Sequence, residues 1–116
     1  MTAPDATEHR QFAQGVAEFN AGHYWEAHET WECIWAEEVG ERRLCLQALV
    51  QLAAGFHKAE IGVPGGARKL WSSALRILQS ERDDAWGIDV AKLRHDLARV
   101  MTADLRDPIR IEVRPA

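Results

Sequence analysis

What most constrains this chain is the way glycine-bearing breaks divide it into stretches whose apolar residues recur every three to four positions. The breaks are Asn20-Ala21-Gly22, Val39-Gly40, Gly62-Val63-Pro64-Gly65-Gly66 and the region from Asp83 to Gly87; these are residue types that stop helices or turn the backbone. Ahead of the first break, Phe12, Val16 and Phe19 form the stripe of an amphipathic helix. After it, Tyr24, Ala27, Trp31, Ile34 and Trp35 share one face at a helical pitch. The third stretch, from about Glu41 to Ile61, is apolar almost all round and predicts the central, most buried helix. In the fourth, ending near Ser80, Ala67, Leu70, Trp71, Ala74, Leu75 and Leu78 mark the clearest helical face. The fifth runs from an Asp89 N-cap through Val90, Leu93, Leu97, Val100 and Met101. Beyond Pro108, Ile109, Ile111 and Val113 alternate with charged residues, the two-residue period of an extended segment.

The resulting expectation is an all-α fold, a single compact bundle of about five helices. Two antiparallel helical hairpins plus a closing helix make sequential helices neighbours. The 116 residues suit one domain, 1–116. A flexible N-terminal tail over 1–7 precedes a helix capped near Thr7, and an extended C-terminal tail covers 106–116. Phe12, Phe19, Trp31, Leu49, Leu52, Leu75 and Leu97 are the expected core. An offset of 40 pairs Ala13 with Ala53, Gly15 with Gly55, Gly22 with Gly62, Ala27 with Ala67 and Trp31 with Trp71, so the two hairpins read as related.

Composition narrows the function classes. With 47% hydrophobic and 28% charged residues the chain is that of an ordinary globular protein. A net charge of −4 without a Lys/Arg cluster argues against nucleic acid, whose phosphates need several gathered cations. No apolar stretch approaches the roughly 18–20 residues that span a bilayer, and the first residues lack a signal-peptide layout. Cys33 and Cys45 form no CxxC pair and read as reduced thiols, so a cytoplasmic location is expected, with no membrane.

The densest polar cluster is Glu26-x-His28-Glu29-x-x-Glu32, flanked by Trp25, Trp31 and Trp35. His28 and Glu32 lie one turn apart at the edge of the apolar face, where an uncompensated carboxylate would be costly, so Glu32 is expected to have a polar partner. One reading is a buried His–Glu hydrogen bond that fixes helix register. Another makes His28 and Glu32 ligands of a divalent metal such as zinc, His57 a third ligand, and Glu29 the catalytic general base of a hydrolase. His57 shares a stripe with Leu46, Val50 and Ala53, whereas Gln47, Gln51 and Lys58 form a separate stripe, and either could meet helix two. Cys33 falls opposite the apolar face, while Arg42, Arg43, Arg94 and Arg99 read as solvated helix surface. Trp86, in a loop beside Gly87, is the one tryptophan expected to cover an interface rather than fill the core.

The run from Phe19 to Trp35, followed by Leu46 to Ala54, resembles a family of small prokaryotic helical proteins catalogued as domain of unknown function three hundred and nine. Its signature, F-N-x-G-x-aromatic-x-E-A-H-E-x-x-E-x-x-W, is met at Phe19, Asn20, Gly22, Tyr24, Glu26, Ala27, His28, Glu29, Glu32 and Trp35, and the resemblance covers roughly residues 10–80. It implies a compact helical bundle and directs attention to His28, Glu29, Glu32, Trp35 and Gln51, but supplies no reaction. The expected function is a binding or interaction module taking a small ligand or protein partner, with His28, Glu32, Trp35 and Gln51 as binding residues. The alternative is a metal-dependent hydrolase or other small enzyme using His28, Glu29 and Glu32. A homo-oligomer is compatible with either.

Overall fold

The computed structural model describes residues 6–102 and 107–114. Helix α1 spans Ala6–Asn20, α2 Tyr24–Glu37, α3 Glu41–Glu60, α4 Pro64–Gln79 and α5 Val90–Thr102, with a short 3₁₀ turn over Ala85–Gly87. The expected all-α bundle of five helices is what the chain forms. Each helix packs on the next, and α3 lies between α2 and α4. This central helix buries Leu46, Ala48, Leu49, Leu52, Ala53 and Phe56. Leu44, on its solvent side, is 48% exposed, so the apolar surface does not close all the way round. Of the expected core, only Leu75 is merely half-buried, because it lies at the edge of the α4 stripe.

Helix α1 is already helical at Ala6, so Thr7 lies in its first turn rather than capping it. The remainder of the expected N-terminal tail, residues 1–5, lies outside the described residues, as do 103–106 and 115–116 of the C-terminal region. Asp89 does cap α5, its Oδ1 accepting the Lys92 backbone N–H at 3.0 Å. In the tail, Ile109 and Ile111 are buried, while Val113 is exposed and pairs antiparallel with Ile88 in an isolated bridge. Asn20 holds this segment: its Nδ2 donates to the Ile111 carbonyl at 3.0 Å and its Oδ1 accepts the Ile111 N–H at 2.8 Å. A side-chain amide thus satisfies both backbone groups of one extended residue, much as a neighbouring strand would.

The 40-residue offset has a structural meaning. The indole N–H of Trp31 donates to the Phe12 carbonyl at 3.3 Å, and that of Trp71 to the Leu52 carbonyl at 3.2 Å. Each indole lies against a glycine of the preceding helix; a Cβ on Gly15 would come 2.2 Å from Trp31 Nε1, and one on Gly55 2.3 Å from Trp71 Nε1. Both hairpins turn through a glycine with positive φ, Gly22 at 84° and Gly62 at 80°, a conformation cheap only for glycine. After each, the chain closes a wide turn, His23 N–H to Glu18 O at 2.9 Å and Val63 N–H to Lys58 O at 2.8 Å. The hairpins are two copies of one packing unit. Among the described residues, no helix is long and apolar enough to cross a membrane.

Trp86 joins the α4–α5 connection to the bundle. Its ring stacks on Phe12 at 4.9 Å, its indole N–H donates to the Arg42 carbonyl at 3.0 Å, and the Arg42 guanidinium lies 5.0 Å above it. The interface it covers is internal, between α1 and α3. Three arginines expected on solvated surface are also engaged. Arg42 pairs with Glu8 and Glu38, each at 3.2 Å. Arg43 lies 4.0 Å over the Trp35 ring, and Arg94 caps the end of α4 by donating to the carbonyls of Leu78 and Glu81. Long cationic side chains lay their stems on apolar surface and end on backbone oxygens, a use that charge patterning does not reveal. Arg99 is exposed as expected and meets Asp107.

Candidate functional site: the His28 cluster between α2 and α3

Helix α2 presents Ala27, Trp31 and Ile34 to the core, which leaves Trp25, His28, Glu32 and Trp35 along its flank toward α3. Two contacts set the antiparallel register of the pair. The Trp25 ring lies 5.1 Å from that of His57, and at the opposite end Arg43 covers Trp35, its Nε donating to the Trp35 carbonyl at 3.3 Å. Along the chain, His28 on α2 and Gln51 on α3 fall between the residues of these two contacts. His57, of the stripe shared with Leu46, Val50 and Ala53, thus meets helix two at Trp25.

His28 is the best-defined member. Its imidazole stacks on the Trp25 indole, with centroids 4.8 Å apart and planes 21° from parallel, and its Nε2 lies 3.2 Å from Glu32 Oε2. The pair thus forms, shielded by Trp25. The carboxylate itself is not buried: the Glu32 side chain is 54% exposed against 16% for His28. Reaching outward from the helix flank, Glu32 keeps its hydration, so it does not need the compensation that a buried carboxylate demands. We accordingly expect Glu32→Ala to lower stability by less than about 1 kcal/mol, the worth of an exposed i, i+4 pair. Urea denaturation measures this, and a loss above about 2 kcal/mol would mean that the charge is desolvated after all.

Donation from Nε2–H to Glu32 leaves His28 Nδ1 as an acceptor, and that atom is buried without a hydrogen-bond partner. So are Trp35 Nε1, a donor, and Gln51 Oε1, an acceptor. Among the described residues only one other side-chain nitrogen or oxygen shares this condition, Glu81 Oε1. Glu29 is exposed on α2 and joins none of these contacts. Among the described residues, no three His, Cys, Asp or Glu side chains gather closely enough to hold a metal ion; His57 meets Trp25 rather than completing a set with His28 and Glu32. Sequence reasoning missed Arg43, whose guanidinium closes one end of the cluster; its i+8 spacing from Trp35 spans a turn and gives no periodic signal.

The second hairpin offers an internal comparison. At the offset of 40, Trp25, His28, Glu29, Glu32 and Trp35 correspond to Gly65, Arg68, Lys69, Ser72 and Leu75. The same packing unit is therefore built without any of them.

The sequence model described as Domain of unknown function (DUF309) matches residues 12–70. A crystal structure titled as a conserved hypothetical protein, TTHA0068, from Thermus thermophilus is similar to this chain, with a TM-score of 0.70 and 27% sequence identity over 88% of this chain and 100% of that one. No curated protein matches. The matched residues contain most of the first hairpin, all of α3 and every member of the His28 cluster, and the chain belongs to the DUF309 family.

Proposed function

We propose that this protein is a helical binding module, acting as one domain in the cytoplasm, whose α2–α3 face takes a small polar ligand through His28, Trp35 and Gln51, with Trp25, Glu32 and Arg43 around them. The observation that carries this reading is that three buried polar atoms without partners, His28 Nδ1, Trp35 Nε1 and Gln51 Oε1, all belong to one helix pair. Such atoms are few in folded proteins, and each costs about 1–3 kcal/mol when left unpaired. A ligand that donates to His28 and Gln51 and accepts from Trp35 removes that cost, and a modest opening of the α2 flank admits it. The second hairpin supports the same reading, since a stability role would be served equally by the residues found there. Glu29 has no part in it.

The test is a graft of the second hairpin's residues into the first: His28→Arg, Glu32→Ser and Trp35→Leu together. The variant is expected to fold and to melt cooperatively, since the second hairpin builds the same packing unit with these residues. Screening both proteins by thermal shift against amides, amines and carboxylic acids should give stabilising compounds for the parent alone. Equal responses in the two proteins, or none in the parent, would refute the binding site. Metal analysis of untagged protein tests the alternative. Bound zinc, a chelator-sensitive melt and a Glu29→Gln variant with intact metal but no hydrolytic activity would replace the module with the hydrolase.

A further inference from the structure

Helix α3 keeps one edge open between its two neighbours. Its inner side is taken: Arg42 turns to Glu8 of α1 and to Trp86, and Leu46, Leu49, Leu52 and Phe56 are buried in the core. On the opposite side Gln47, Val50 and Ala54 are only half-buried, and Ile61, which caps the helix, is 56% exposed. These four fall at i, i+3, i+7 and i+14, the heptad spacing of a seam along which two parallel helices pair.

The helices on either side of that edge carry opposite charges. On the α2 side, Trp25, whose ring lies against His57, begins an exposed stripe that continues at i+4 and i+7 as Glu29 and Glu32. On the α4 side, a Cβ on Gly66 would come 3.6 Å from the Lys58 side chain. From Gly66 the same stripe continues at i+3 and i+10 as Lys69 and Arg76, both exposed. Glu29, Lys69 and Arg76 have no ion-pair partner among the described residues. The two stripes are also level with each other. Both helices run antiparallel to α3, with Trp25 beside His57 and Gly66 beside Lys58. Along their length Trp25 therefore matches Gly65 and Glu29 matches Lys69, the same pairs that the offset of 40 gives.

We infer that this face binds a second copy of the chain, in a two-fold dimer whose axis runs along the open edge of α3. That rotation sets α2 of each copy over α4 of the other and brings the two seams together residue on residue. Glu29 then faces Lys69 of the other copy, and Arg76 lies one turn from Glu32. Trp25 lies over Gly65, where an added Cβ would meet nothing within 4 Å, so the indole has room. On the axis Gln47 meets its own counterpart, and an amide pairs with itself because it both donates and accepts. A two-fold across α3 instead stacks α2 on α2 and α4 on α4, and such like-charge juxtaposition is costly. The area is adequate. The 20 residues of α3 extend about 30 Å, and three helices about 8–10 Å apart present a face on the order of the 800 Å² per partner that specific interfaces bury. Glu29 and Lys69 lie outside the His28 cluster, so the dimer stands or falls independently of a ligand there.

Sedimentation velocity over a dilution series from about 1 mM to about 1 μM, the range of modest affinities, tests the assignment. The expected result is a monomer–dimer equilibrium that weakens as salt is raised. Glu29→Lys and Lys69→Glu, both at exposed positions, should each weaken it by roughly tenfold or more, because the two-fold repeats every substitution. An equimolar mixture of the two variants should recover the parent's association, since each substituted side chain then faces its opposite charge. If Lys69→Glu does not fold, Arg76→Glu should give a comparable loss. Protein that stays monomeric across the series, association that neither variant weakens, or a mixture that recovers nothing would overturn the dimer. So would tighter association of Glu29→Lys alone, the signature of α2 stacked on α2.

Discussion

Replacing Trp71 with alanine should cost about 3–5 kcal/mol, the range for an aromatic side chain removed from a packed core. The residue is fully buried and its ring lies 4.7 Å from that of Phe56. Its indole N–H is bonded to the Leu52 carbonyl, so the substitution loses a hydrogen bond, the apolar burial and the contact with Gly55 together. The cavity cannot collapse easily, because the walls belong to α3 and α4, whose spacing the indole itself sets. Trp31→Ala should fall in the same range, since Trp31 holds α2 on α1 through the equivalent bond. Chemical denaturation of both variants measures the loss. A cost under about 1 kcal/mol for either would contradict the packing unit, given the penalties normal for buried aromatics.

How far the sequence disclosed this arrangement depends on whether a feature is periodic. The five helices and the central place of α3 follow from apolar spacing between glycine breaks, and the repeat at an offset of 40 was visible as identities such as Gly15/Gly55 and Trp31/Trp71. The reason for those identities was not visible, because a glycine and a tryptophan 16 positions apart meet only once a hairpin has closed. His28 and Glu32 were legible as neighbours, being one turn apart on one helix, but the exposure of Glu32 depends on how α3 lies beside α2. Asn20 read as a helix stop; its bonds to Ile111 join residues 91 positions apart and have no local signature. Glu41 and Glu81 likewise line one cavity from two different helix ends. Local periodicity specifies the elements, whereas the polar groups that converge between them are set by tertiary closure.

The sharpest test of the packing unit reverses a familiar sign. Inside a helix, glycine to alanine usually stabilises by up to about 1 kcal/mol, through helix propensity and a less flexible unfolded chain. Gly55 lies within α3, and its added Cβ would fall 2.3 Å from Trp71 Nε1 and 2.5 Å from Cδ1. Those atoms belong to a rigid, fully buried ring that is held at its nitrogen, so the strain cannot be released by a flexible end. We therefore expect Gly55→Ala to lower stability by about 3 kcal/mol, the upper part of the range for overpacking, with Gly15→Ala acting alike against Trp31. Gly65, near the start of α4, has nothing within 4 Å of its added Cβ; there the same change should be neutral or stabilising by up to about 1 kcal/mol. In a Trp71→Ala background the Gly55→Ala penalty should vanish, leaving a coupling of about 3 kcal/mol in the double-mutant cycle. If Gly55→Ala instead stabilises the otherwise unaltered protein, the indole does not occupy the glycine cleft in solution, and the shared logic of the two hairpins fails with it.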